Sequence, residues 1–158
     1  MCLWASKEAT HWLLKDLNND KIKTITATKM YRFRIENNRV ILSAPFRGDD
    51  ITNFGKVEST RKIKDIDYLE YNFVVISEGI HCYGGKQDWL FTTRIDFNVS
   101  SSQEMLFIPV SIETKDIIGV SDMFVLGESG EIAAMKVHIT RDTWRKIRKV
   151  FKEKGLIK

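Results

Sequence analysis

The 158-residue chain holds only two cysteines, Cys2 and Cys82, and three histidines. Two cysteines cannot build the disulfide framework of a small secreted domain, so a reducing cytoplasm is the predicted location. Neither they nor the scattered histidines have a zinc-finger spacing, and no structural metal or other cofactor is expected. No apolar run reaches the length of about 18 residues that a membrane-spanning helix needs, and no membrane association is predicted. The opening, MCLWASKEATHW, has no basic stretch leading into an apolar one and does not read as a secretory signal. Also missing are a phosphate-binding P-loop, a dinucleotide fingerprint, a zincin helix and an RNA-recognition signature. There is no internal repeat, low-complexity tract or linker.

What is present is ordinary soluble composition, 43% hydrophobic and 29% charged, in a length that fits one domain over residues 1–158. The net charge is +4. Its placement says more than its total. From Arg141 to Lys158 eight basic residues face only Asp142 and Glu153, a net +6, so residues 1–140 carry −2. Basic character belongs to the last element and not to the whole surface.

The pattern predicts an α+β protein: a mostly antiparallel β sheet or partly closed barrel with an N-terminal and a C-terminal helix. A helix is expected over Lys7–Leu17, capped by Ser6, with Trp12, Leu13 and Leu17 as its apolar stripe. KTITATKMYRFRIE then alternates like a strand, Asn37-Asn38 tolerates left-handed backbone, and RVILSAPF returns, giving a hairpin near Ile22–Phe46. The segment TRKIKDIDYLEYNF fits neither period. FVVIS is a short strand, WLFTTRIDFNV a further one, SSSQE a loop. MLFIPVSI is a strand that Pro109 places at an edge or at its own start. FVLGESGEIAAMKVHI reads as a second hairpin turning at Gly127–Gly130. A last helix runs from Thr140 or Asp142 to Glu153 or Lys154 with Gly155 as its stop. Trp144, Ile147, Val150 and Phe151 form its stripe. Six to eight strands are expected at typical lengths.

EGIHCYGG, residues 78–85, puts a histidine beside a cysteine. Histidine titrates near neutral pH, and a neighbouring cysteine can be held as thiolate, so His81, Cys82 and Glu78 are candidate catalytic residues. Adjacent strand residues point to opposite faces, however, and free cysteine is commonly a small buried hydrophobe. The segment therefore also reads as a strand running into a turn. Cys2 is a further candidate: without Met1 it would present a thiol and its own α-amine. The alternative is that MCLW is an apolar segment covering the core.

Arg32 and Arg34 share one strand face beside Tyr31 and Phe33, and Arg47 follows the hairpin. The arginine fork suits phosphate. Lys136 and His138 lie on the face of their strand opposite Val137 and Ile139. His138-Ile-Thr140 is similar to the His-x-Thr element of two-histidine phosphoesterases, which need a second copy that this chain lacks. An ordinary solvated strand face is the plainer explanation of the hairpin arginines. In the last helix Arg145, Lys146, Arg148, Lys149 and Lys152 could follow a nucleic-acid backbone, dock on an acidic partner or serve solubility.

MCLW at 1–4, SAPFRG at 43–48, EGIHCY at 78–83, IPVSI at 108–112 and GESGEI at 127–132 together carry a resemblance. The chain resembles a group of small phage and bacterial proteins that open Met-Cys-Leu and carry a Glu-Gly-(Ile/Phe)-His-x-(Tyr/Phe) motif. It departs from them in GGKQDWLFTTRIDF, where they have a short alanine-containing helical segment, and in its long basic tail. No established activity comes with the group. The resemblance implies a phage or bacterial origin and brings Cys2, Arg47, Glu78, His81 and Tyr83 forward as site positions.

The first functional expectation is a protein that binds a small, nucleotide-derived anion through Arg32, Arg34, Arg47, Lys136 and His138, with Tyr31 or Tyr83 stacking. Sequestration or cleavage of a host signalling nucleotide would be its role. The alternatives are a cysteine/histidine-dependent hydrolase or transferase, and a nucleic-acid or protein-interaction module built on the basic helix. Edge strands and surface aromatics permit a homo-oligomer without demanding one.

Overall fold

The computed structural model describes residues 3–44, 49–59, 73–76, 79–85, 91–92 and 105–158. Cys2, Arg47 and Glu78 lie outside the described residues, and so do the ambiguous segment 60–72, the expected loop at 100–104 and residues 93–99. The protein is α+β with a mostly antiparallel sheet and no closed barrel among the described residues. Its centre is β2 (Thr24–Glu36), which the turn Asn37-Asn38 joins to β3 (Arg39–Ser43). Both asparagines take left-handed backbone, at φ 48° and 60°, as a tight two-residue hairpin turn requires.

Register fixes the rest of the sheet. Arg32 has partners on both edges, Ser43 of β3 and Met105 of β8 (Met105–Glu113). Thr28 likewise lies between Tyr83 of β6 (Ile80–Tyr83) and Pro109 of β8. So β3 and β6 share the edge of β2 opposite β8. The outer edge of β8 is shared in turn by β7 (Phe91–Thr92), at Leu106 and Met105, and by β11 (Lys136–Ile139), at Ser111. Beyond β11 lies β4 (Gly55–Glu58). Beyond β6 lie β10 (Glu131–Ala134) and then β9 (Ile117–Val120). A separate two-stranded sheet pairs β1 (Leu3–Ser6) with β5 (Phe73–Ile76). That makes eleven strands among the described residues, several of four residues or fewer, where six to eight were expected.

Two local expectations need correction. Pro109 is neither at the start of β8 nor on an edge strand; it lies between β7's pairing at Leu106 and β11's at Ser111. That stretch of β8's outer edge has no ladder among the described residues, so a missing N–H breaks no bond there. The hairpin expected over 124–139 does not form as written. The partners of β10 are β6 and β9, and the chain breaks at Met135, whose N–H donates to the Asp116 carbonyl 2.8 Å away, before continuing as β11 elsewhere in the sheet. The turn itself holds: Val125 and Ser129 bridge, and Gly130 sits at φ +82°, where a Cβ would lie 2.4 Å from Phe124 Cα.

The helix α1 (Lys7–Asn19) starts where expected, with the Ser6 hydroxyl accepting from Ala9 N–H at 3.1 Å. Its buried stripe is Thr10 and Leu17 with Ala9 and Leu13 beside them, whereas Trp12 is half exposed beneath the Lys15 ammonium. Thr10 is held because its hydroxyl donates to the Ser6 carbonyl and accepts from Val120 N–H. The helix α2 (Arg141–Glu153) is capped by Thr140, which accepts from Thr143 N–H at 3.1 Å. It ends at Gly155, φ +73°, with Leu156 N–H returning to the Phe151 carbonyl.

Trp144, Ile147 and Phe151 of α2 enter the main core with Ile25, Ala27, Tyr31, Ile108 and Val110 of the sheet. Burying each of the aliphatic or aromatic side chains larger than alanine contributes about 1.5–3 kcal/mol. Phe151 also meets Phe33 edge-on at 4.9 Å. This packing fixes which side of α2 faces solvent. Among the described residues no helix is long and apolar enough to cross a membrane.

Candidate functional site

Strand parity explains the EGIHCYGG segment. Ile80 and Cys82 of β6 point into the main core, while His81 and Tyr83 take the other face. Gly84 follows as a bend whose N–H donates to the Gly130 carbonyl at 2.9 Å, and Gly85 bridges to Gly127. The neighbours His81 and Cys82 therefore do not line one pocket. Cys82 is completely buried, and burial pushes its thiol up to about 12, only partly opposed by the Lys29 ammonium. A thiol in that state is protonated at neutral pH and is a poor nucleophile.

Lys29 is the residue that the sequence reading passed over. Parity puts it on the core side of β2 with Ala27 and Tyr31, beside Cys82. Its ammonium donates to the His81 carbonyl at 2.9 Å and lies 5.8 Å from the Tyr31 ring. Burial lowers its pKa, with the nearby Cys82 acting in the other direction. Tyr31 is also displaced upward by burial, and among the described residues its hydroxyl has no hydrogen-bond partner.

The other sheet face carries the cations expected to meet an anion, and most of them meet carboxylates. The Arg34 guanidinium forks onto Asp50, at 2.9 and 2.5 Å, and its Nε reaches Glu36 at 2.7 Å. These bonds, with Asp50 first, raise the Arg34 pKa and lower that of Asp50. Lys136 lies 3.8 Å from Glu58, which Lys56 holds more closely at 2.7 Å. His138 Nε2 is 3.8 Å from Glu113, which Lys115 holds at 2.9 Å. Both carboxylates are lowered, chiefly by the lysine hydrogen bonds. The pairing follows from register, since His138 lies across from Lys56 and Ser111, and Lys136 across from Glu58. Arg32 differs: its Nε is buried and has no hydrogen-bond partner among the described residues. Tyr83, on the same face, packs near Phe107 at 6.3 Å.

The helix α2 offers unopposed charge. At about 100° per residue, Arg141, Arg145, Arg148 and Lys152 stand at i, i+4, i+7 and i+11 and fall within an arc of about 60°. All four are exposed. The helix's two acids lie off this line and face lysines instead, Asp142 with Lys146 at 3.0 Å and Glu153 with Lys149 at 3.9 Å. Among the described residues no carboxylate lies within ion-pair distance of the four ridge cations. The ridge extends about 16 Å along the axis. At its start the Arg141 guanidinium lies over the ring of Phe54, 4.8 Å from the centroid.

The sequence reading identified Arg145, Arg148 and Lys152 as part of a basic helix, together with Lys146 and Lys149. It did not separate the two lysines with their own acids from the ridge without them. Simple i, i+4 spacing was the available signal. Phe54 was missed because its neighbour is 87 positions away in sequence. Among the described residues no group of three or more potential metal ligands comes together. Comparison with known proteins gave no matching family model, no similar curated protein and no similar solved structure.

Proposed function

We propose that this domain is a cytoplasmic nucleic-acid-binding protein that engages the phosphate backbone through α2. One observation carries the reading: Arg141, Arg145, Arg148 and Lys152 form an exposed line of cations with no carboxylate opposite them among the described residues. Release of counterions from phosphates rewards a row of this kind, while cations already paired gain little. A strand with one phosphate per about 3.4 Å of axis passes about five phosphates along the ridge. The core side of α2 holds the ridge rigid, because Trp144, Ile147 and Phe151 fix the helix against the sheet. The test is fluorescence anisotropy with labelled oligonucleotides at low salt. Wild type should bind and Arg145→Glu/Arg148→Glu should not, with both proteins melting alike. Equal binding by the two, or no binding by wild type, would end this reading.

A second reading, the small nucleotide-derived anion, is favoured by the Arg32 Nε, buried and without a hydrogen-bond partner among the described residues. A nucleotide that raised the melting temperature of wild type and left Arg32→Gln unmoved would favour it over α2. A catalytic role for His81 has less behind it, since Cys82 faces away from it into the core.

A further inference from the structure

The basic ridge begins at an aromatic ring, and the register of two strands explains why. β4 and β11 pair antiparallel, ending with Gly55 opposite Ile139. The two chains leave the ladder there, one at Phe54 and the other at Thr140, the cap of α2, and Phe54 meets Arg141. Phe54 is held in its bend by its own N–H donating to the Asn53 side chain at 2.9 Å. Gly55 follows at φ +139°, a conformation that turns the chain from the bend into β4. Phe54 is 37% exposed although it is a large apolar residue, and the Arg141 guanidinium lies over its ring at 4.8 Å.

We infer that Phe54 and Arg141 form a stacking platform that makes the α2 ridge selective for single-stranded polynucleotide over duplex. The inference rests on the α2 reading and adds a substrate class to it. A duplex keeps its base faces stacked inside the helix and offers the ridge only phosphate. A single strand laid along Arg145, Arg148 and Lys152 carries bases that are free to turn. One of them at the Arg141 end reaches an exposed aromatic ring that a cation already orients. Base–aromatic stacking tolerates any sequence because every base has a π face, and arginine reinforces it. The site therefore reads strandedness and not sequence. Arg141 has two roles in it: it supplies the first charge of the ridge and it holds the ring.

Three labelled probes of equal phosphate number test this: a thymidine dodecamer, an abasic dodecamer and a short duplex. Each is titrated at one low salt concentration into wild type, Phe54→Ala, Phe54→Trp and Arg145→Glu/Arg148→Glu. Wild type should bind the thymidine strand about tenfold more tightly than the abasic strand. Phe54→Ala should erase that preference while leaving the abasic strand and the duplex unchanged, and Phe54→Trp should keep or increase it. Arg145→Glu/Arg148→Glu should weaken all three probes. Melting curves identify a variant that has lost its fold, and Phe54→Trp then carries the comparison. A Phe54→Ala loss shared equally by the three probes would overturn the stacking role, and so would no loss at all. In either case binding that still depended on Arg145 and Arg148 would leave the α2 reading standing. Absence of binding by wild type to every probe would overturn both.

Discussion

Raising the pH should cost this protein stability through its buried Cys82 thiol, and the lead of wild type over Cys82→Ala should shrink as the pH rises. Cys82 is 1% exposed and its thiol is pushed up to about 12 from an ordinary value of 9.0. Between those values the unfolded chain releases a proton that the native chain keeps. The native state then holds more protons, so stability falls as pH rises, by at most about 1.4 kcal/mol per pH unit. From pH 8 to pH 10.5 this amounts to about 2 kcal/mol. The contribution is fully present below pH 9 and disappears as pH approaches the folded value. Cys82→Ala itself costs about 1 kcal/mol at pH 7, through loss of a buried sulfur. The assay is urea unfolding at half-unit pH steps, in a Cys2→Ser background so that only one thiol counts. Wild type should lead by about 1 kcal/mol at pH 7, and the order should reverse by a similar amount at pH 10.5. In the same background Ellman's reagent should modify Cys82 only as fast as the protein opens. A stability gap independent of pH, or prompt modification of the native protein at pH 8, would refute the view of Cys82 as a buried core thiol.

Lys29 should act in the opposite sense. Its native pKa is lowered from 10.5, so between its native and unfolded values the unfolded chain binds more protons and stability rises with pH. Measured against Lys29→Met, wild type should gain as pH approaches 10.5, and a flat difference would remove the buried ammonium from the account. The two glycines of the 121–130 turn should separate conformational cost from steric cost. Gly127→Ala, at φ +79° with nothing within 4 Å of a new Cβ, should cost about 1 kcal/mol. Gly130→Ala, whose Cβ would meet the Phe124 backbone, should cost at least about twice as much in thermal unfolding. Equal losses would mean that the turn yields.

The sequence made some of this legible and concealed the rest for physical reasons. The β2–β3 hairpin was readable because alternation and an Asn-Asn turn are local, and its sequence bounds differ from Thr24–Ser43 only at the ends. α2 was readable for the same reason: its cap, stripe and glycine stop all lie within 16 residues of one another. The short β1 was not, since four residues carry no period, and its pairing with β5 is set far along the chain. Lys29 was invisible because alternation assigns a lysine to a wet face, whereas β2 is covered on both sides: Met30 joins Met105 and Phe107 on one, Tyr31 joins the main core on the other. At the site, the cations were found and their partners were not. Asp50 beside Arg34, Glu58 beside Lys136 and Glu113 beside His138 come from turns and neighbouring strands that only the folded register brings close.

The salt dependence of binding tests the ridge most directly. Affinity for a single-stranded oligonucleotide is measured by anisotropy from 50 to 200 mM salt for wild type, Arg145→Gln/Arg148→Gln and Lys146→Gln. Four ridge cations imply a log–log slope of about −2.8 for a single strand, which is about a 50-fold loss of affinity over that range. Removing two of them should halve the slope to about −1.4, while Lys146→Gln, whose lysine already has Asp142, should leave it unchanged. A slope that the double substitution did not alter, or that Lys146→Gln reduced as much, would contradict the assignment of binding to this ridge.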